Sequence, residues 1–284
     1  KNGADIVIIA HTHVPEVVRF DQGVYLNTGD WVESCTAMVE DADGKLWLMM
    51  LNLDMLINSK LLPPEVVETA IKVVRKWGYT VKEVPEDQAE IIVCENNFHG
   101  RTIAIVGFST EPQYRDGFGP FTPGFKIIPF ADAQALKEAI TPNTVAFLVE
   151  PIQGEGGYIV PPPEFHRKLN AIAKKYGILY VVDEVQSGMG RTGKMFAMEH
   201  FGVDPDIIAL AKGIASGLPL GAMIAPAKIM NWEAGSHAST FGGNPLSCRA
   251  ALATIELLEN SLMKNVTKQG DRLLKGLGAI QNNF

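Results

Sequence analysis

The stretch Ile178-Leu-Tyr-Val-Val-Asp183-Glu-Val-Gln186-Ser-Gly-Met-Gly-Arg-Thr-Gly193 opens on five apolar residues and closes on a polar, glycine-rich run. Five apolar residues without alternation read as a strand buried on both faces. Asp206-Ile-Ile-Ala-Leu210-Ala-Lys212 repeats the plan a short way on, again with a polar residue just beyond the strand. Outward from this pair, the same reading gives strands over Glu90 to Cys94, Val145 to Val149 and Leu220 to Ile224. Helices are expected over Glu65 to Trp77, Ala133 to Ile140, Pro163 to Tyr176, Pro245 to Leu258 and Leu262 to Leu277. The first carries apolar residues at Val66, Val67, Ala70, Ile71 and Val74, and Pro63-Pro64 stands where a helix tolerates proline. Short buried strands alternating with helices predict an α/β fold with a mostly parallel sheet flanked by helices. Ligands in such sheets bind beyond the carboxyl ends of the strands. Asp183, Glu150 and Lys212 all fall at or just after such ends.

Residues 1–57 follow another plan. Asp5 to Ala10, Val24 to Gly29, Cys35 to Glu40 and Lys45 to Met50 read as short strands joined by turns, an antiparallel β-rich segment.

The 284 residues suffice for one large or two ordinary domains, with a hydrophobic share of 46% and a charged share of 20%. No apolar run approaches the roughly 20 residues of a membrane span. A net charge of −7 speaks against nucleic-acid binding and for small-molecule partners. Cys35, Cys94 and Cys248 lack pairing or metal-site spacing, and Lys1-Asn-Gly-Ala-Asp does not begin a secretion signal, so a reducing, cytoplasmic compartment is expected.

A carboxylate at one strand end and a lysine at the next suit a pyridoxal phosphate site. The lysine holds the cofactor as a Schiff base, and the aspartate keeps the pyridine nitrogen protonated so that the ring takes up electrons. The bland alternative makes Lys212 a surface lysine and Asp183 a helix cap. Asn97-Phe98-His99-Gly-Arg101-Thr follows the strand ending near Cys94. Phe98 there either stacks on a flat cofactor or packs in a core. Arg101 offers a forked donor to a substrate carboxylate or to a surface ion pair. Gln186 can hydrogen-bond the phenolic oxygen of the ring. Ser236-His-Ala-Ser-Thr240-Phe-Gly-Gly-Asn-Pro245 is a polar glycine-rich loop before a helix, which can hold phosphate through hydroxyl and backbone donors but is by itself a weak signal.

These motifs carry a resemblance. Asn97-Phe-His-Gly-Arg-Thr102, Glu150-Pro-Ile-Gln-Gly-Glu155, Asp183 to Gly193, Leu210-Ala-Lys-Gly-Ile214 and Ser239-Thr-Phe-Gly-Gly-Asn-Pro245 resemble, in order and spacing, the class III pyridoxal phosphate aminotransferases. The nearest likenesses are the ornithine, acetylornithine and 4-aminobutyrate group. The resemblance implies the large domain of aminotransferase fold type I over 58–262, with 263–284 the start of a C-terminal small domain. It implies transfer of an amino group from an ω-amino or basic amino acid to a 2-oxo acid, in a homodimer. Lys212 would be the Schiff-base lysine and proton carrier, with Asp183 on the pyridine nitrogen. Phe98, His99 and Gln186 would contact the ring. Thr240 would reach the phosphate of the neighbouring subunit's cofactor. Arg101 would take a substrate carboxylate, and Glu155 would mask a second arginine.

Two departures accompany it. Where the family carries a Gly-Ala phosphate step, this sequence has Pro63-Pro64, and proline has no N–H to offer an anion. The sequence runs to Phe284 without the arginine expected of the small domain. An alternative is therefore an aminotransferase-like scaffold with impaired catalysis. Residues 1–57 themselves resemble the tail of a calcineurin-like metallophosphoesterase, through Ile9-Ala-His11-Thr-His13 and Tyr25-Leu-Asn-Thr-Gly-Asp30. Two histidines fall short of a two-metal site, so no metal is expected there and phosphoester hydrolysis is a remote alternative.

Overall fold

The computed structural model describes residues 65–230, 232–233, 235–239 and 242–281, together with the backbone of four strands between residues 16 and 50. Those strands are β1 (Glu16–Phe20), β2 (Gly23–Asn27), β3 (Thr36–Glu40) and β4 (Leu46–Met50), each antiparallel to the next. Asp5 to Ala10 lies outside the described residues.

The helix α1 (Glu65–Thr80) opens the second part. Its stripe of Val66, Val67, Ala70, Ile71, Val73 and Val74 is buried. At this spacing the valines share one face, and each full burial contributes about 1.5 kcal/mol. The helix continues past Trp77, where the sequence predicted its end, because Gly78 sits against Val145 rather than terminating the turn. A Cβ on Gly78 would stand 2.3 Å from the Val145 side chain. Glycine here allows close approach and is not a stop signal.

The sheet is built from β5 (Glu90–Cys94), β6 (Phe125–Ile128), β7 (Thr144–Val149), β8 (Leu179–Asp183), β9 (Ile207–Leu210) and β10 (Ala222–Ile224), in the order β10-β9-β8-β7-β5-β6. Neighbours from β6 through β9 pair in parallel, and β10 runs antiparallel to β9. The fold is therefore α/β with a mostly parallel sheet. Side chains alternate across it as the period of two requires. Ile91, Val93, Leu179 and Val181 join α1 in one core. Ile92, Cys94, Phe147, Val149, Tyr180 and Val182 enter a second core on the opposite face. That core also holds Leu136 of α2 (Ala133–Ala139) and Phe165, Leu169 and Ala173 of α3 (Phe165–Tyr176).

Two helices expected at the C-terminal end are one run. α4 (Pro245–Leu257) passes through a π-helical turn at Leu258–Leu262 into α5 (Met263–Gln281). Asn244 caps the start, its side-chain oxygen accepting from Leu246 and Ser247. Among the described residues no helix is long and apolar enough to cross a membrane.

Candidate active site

The loops after β5, β7, β8 and β9 meet at the carboxyl edge of the sheet. Asp183, the last residue of β8, is buried, with Oδ2 2.7 Å from Nδ1 of the equally buried His99. An ionised carboxylate only accepts, so Nδ1 donates. The other oxygen, Oδ1, takes the N–H of Val185 at 2.9 Å. Burial would lower the His99 pKa, but the bond to Asp183 and the charges of Asp183 and Glu150 outweigh it and hold the ring above its ordinary value. The remaining ring nitrogen, Nε2, is buried without a hydrogen-bond partner among the described residues.

Glu150 follows β7 and binds two loops with one carboxylate. Oε2 accepts the Phe98 N–H at 3.1 Å and Oε1 the Gly154 N–H at 3.3 Å. Burial pushes its pKa up to about 7, with His99 pulling the other way and Asp183 adding to the rise. The Asn97 side chain donates to Cys94 O and Phe108 O, fixing the turn that carries Phe98 and His99. Glu184 accepts from Ser187 Oγ at 2.6 Å and the Met198 N–H at 2.9 Å, so the glycine-rich loop folds back onto the end of β8.

Lys212 follows β9, and its ammonium donates to the carboxamide oxygen of Gln186. Gln186 in turn lies against Gly154, where a Cβ would come within 2.9 Å of its side chain. A side chain at position 154 would displace Gln186, so glycine there is a packing requirement. Lys212 itself has a positive φ of 46°.

Phe98 and Arg101 also meet. The Arg101 guanidinium carbon is 5.4 Å from the centre of the Phe98 ring and 4.4 Å from that of Tyr114. Thr102 donates its hydroxyl to Glu68 of α1, holding the end of this loop. Glu155 is solvent-exposed, one residue beyond Gly154.

The structure thus joins the predicted residues in three contacts: His99 with Asp183, Lys212 with Gln186, and Phe98 with Arg101. Glu155 shares their loop system without a described contact to them. Thr240, Pro63, Pro64, His11 and His13 lie outside the described residues. Sequence reading missed Tyr114 and the double acceptance by Glu150. A carboxylate at a strand end marks Glu150, whereas nothing near Tyr114 marks it. A buried carboxylate beside a histidine, a lysine beside an amide, and a neighbouring aromatic ring supply the donors and acceptors that a pyridinium nitrogen, an aldehyde carbon and a phenolic oxygen require. The described residues fit pyridoxal phosphate in those respects.

Comparison with known proteins agrees. The family model described as Aminotransferase class-III matches residues 63–284. An ornithine aminotransferase of Brevibacillus brevis is 51% identical over 221 residues, covering 77% of this chain and 55% of that protein. Among solved structures, an ornithine aminotransferase from Toxoplasma gondii, with partial occupancy of PLP at its active site, superposes with a TM-score of 0.69. It is 34% identical and covers 80% of this chain and 66% of that one. An acetylornithine aminotransferase from Elizabethkingia anophelis gives a TM-score of 0.66 at 30% identity, over 88% of this chain and 73% of that one. The chain spans about half the length of the curated relatives it matches. Residues 1–62 fall outside the family match.

Proposed function

The chain belongs to the class III aminotransferases, and on that premise we propose that it transfers the side-chain amino group of ornithine to a 2-oxo acid, using pyridoxal phosphate. The observation that carries this reading is the Lys212–Gln186 contact at the end of β9, beside the buried His99–Asp183 pair at the end of β8. The ornithine relatives at about half identity favour ornithine over acetylornithine and 4-aminobutyrate.

The chemistry supplied by pyridoxal phosphate when bound is an aldehyde that condenses with amines and a pyridinium ring that accepts an electron pair. In this reading Lys212 would hold the cofactor through its aldehyde carbon, and its amine would serve as the proton carrier. Asp183 keeps a negative charge against the ring nitrogen. His99 donates to Asp183 and fixes the orientation of its carboxylate. Gln186 orients the phenolic oxygen, and Phe98 covers one face of the ring. Glu150 fixes the Phe98 loop and the Gly154 loop relative to each other. Arg101 receives a substrate carboxylate through its forked donors. Thr240 would bind the phosphate of a partner subunit's cofactor. The assembly in this reading is a cytoplasmic homodimer, with 1–57 a β-rich segment, 58–262 the cofactor-binding domain and 263–284 the start of a small domain.

The test is borohydride reduction of the chain incubated with pyridoxal phosphate, followed by peptide mass analysis. A pyridoxyl group on Lys212, together with amino transfer from ornithine to 2-oxoglutarate, is the expected result. Absence of the label would leave the chain an aminotransferase-like scaffold. A label without ornithine turnover would move the substrate to another ω-amino compound.

A further inference from the structure

Arg101 is exposed, and its guanidinium carbon lies over two rings. Tyr114 is the nearer, at 4.4 Å, and Phe98 stands at 5.4 Å. The two rings meet edge to face, with centres 5.6 Å apart and planes at 75°. Among the described residues Arg101 has no carboxylate partner. This difference in contact matters. An ion pair would take up the guanidinium N–H donors, whereas a cation–π contact leaves them without a hydrogen-bond acceptor.

Tyr114 comes from an independently anchored turn. It belongs to the short helix Pro112–Arg115, whose N-cap Glu111 accepts the Gln113 N–H. Arg115 of the same turn donates to Ser109 O at 3.1 Å and lies over the Phe121 ring. The turn is therefore fixed from both sides without Arg101.

We propose that Tyr114 is a positioning residue that holds Arg101 over its ring, with the guanidinium N–H donors left for the carboxylate of the amino substrate. The proposal rests on the reading of Arg101 as carboxylate receiver. It gives the chain a selectivity device: amines with a carboxylate gain from Tyr114, and amines without one gain nothing. Because Tyr114 also touches Phe98, the same ring sets the distance between the carboxylate subsite and the ring-covering side chain.

The experiment compares Tyr114→Ala, Tyr114→Leu, Tyr114→Phe and Arg101→Ala in the chain loaded with pyridoxal phosphate. Three probes are used: L-ornithine for KM and kcat, glutarate as an unreactive carboxylate measured by calorimetry, and 1,4-diaminobutane as an amine without a carboxylate. Loss of the ring face in Tyr114→Ala or Tyr114→Leu should raise the ornithine KM and the glutarate Kd about tenfold, with kcat within about twofold. Affinity for 1,4-diaminobutane should not change. Tyr114→Phe keeps the ring and should restore both values, and in an Arg101→Ala background the loss of Tyr114 should add nothing. Equal weakening of all three probes, or no weakening of ornithine and glutarate, overturns the proposal. So does retained binding in Tyr114→Leu, which would reduce the contact to apolar packing. If Arg101→Ala itself spares ornithine and glutarate, the carboxylate-receiver reading falls and takes this proposal with it. If Arg101→Ala weakens both while Tyr114→Ala does not, only this proposal falls.

Discussion

The floor and the rim of the site are built in opposite ways. On the floor, Asp183, His99 and Glu150 are each 5% exposed or less, and their bonds to one another and to backbone N–H groups form part of the fold. On the rim, Arg101 and Glu155 are exposed, and Arg101 is held by ring faces rather than by directed bonds. Preorganised groups act on a bound ring without reordering, which is where electrostatic catalysis gains most. Long exposed side chains keep rotamer freedom, which suits admission of substrates. The floor therefore ties chemistry to stability, and the rim separates them.

The largest expected effect is on the floor. Asp183→Ala leaves His99 buried without its anion and should cost about 3–5 kcal/mol of stability, read by denaturant unfolding. Asp183→Asn keeps an acceptor for Val185 and should cost less stability, while both variants lose turnover about a thousandfold or more, equivalent to about 4 kcal/mol. Equal stability losses in the two variants would break the link between charge and fold.

Next comes pH. Glu150 has its pKa raised to about 7 by burial, and Asp183, Cys94 and Glu184, the last also raised by burial, are acids coupled to this network. A carboxyl whose folded pKa exceeds its unfolded one binds protons more tightly when folded. Its stabilisation is complete below pH 4.5, the ordinary value, and is lost as pH rises through 7. His99, also raised, acts in the same direction at and above its ordinary value of 6.5. Buried His166, its pKa lowered to about 4, acts the other way below its ordinary value of 6.5, so the Tm should fall from pH 6.5 to 8, and Glu150→Gln should reduce that fall by up to about 3 kcal/mol. A Tm that rises across this window would show that the carboxylate, not the acid, suits the fold.

The smallest effect belongs to the rim. Glu155→Ala removes an exposed side chain and should leave stability within about 0.5 kcal/mol. Its kcat/KM for ornithine should stay within about threefold, since each tenfold corresponds to 1.4 kcal/mol. A large loss there would mean that the rim is as rigidly constructed as the floor.

The strands that carry Asp183 and Lys212 were legible because continuous burial leaves a continuous apolar run. β6 was not, since Phe125–Ile128 is an edge strand of four residues after Pro123-Gly124, with Lys126 among them. The antiparallel direction of β10 left no trace in Leu220 to Ile224, because strand direction is set by the connection. The break expected near Leu258 proved to be a π-helical turn, which a local apolar pattern does not distinguish from an ending. Asp183 stood out as the last residue of its strand and Lys212 as a polar residue just beyond one. Tyr114 owes its place to a loop returning past Arg101, a contact between residues 13 apart that no periodicity encodes.

Lys212 has a final consequence, through its φ of 46°. A side chain in that left-handed region costs roughly 1–2 kcal/mol that glycine would not incur. The position to which the proposed mechanism assigns the cofactor bond is thus one where folding alone favours another residue. A library of this gene screened only for thermal resistance should accumulate Lys212→Gly among its survivors, and lineages released from catalytic selection should drift the same way.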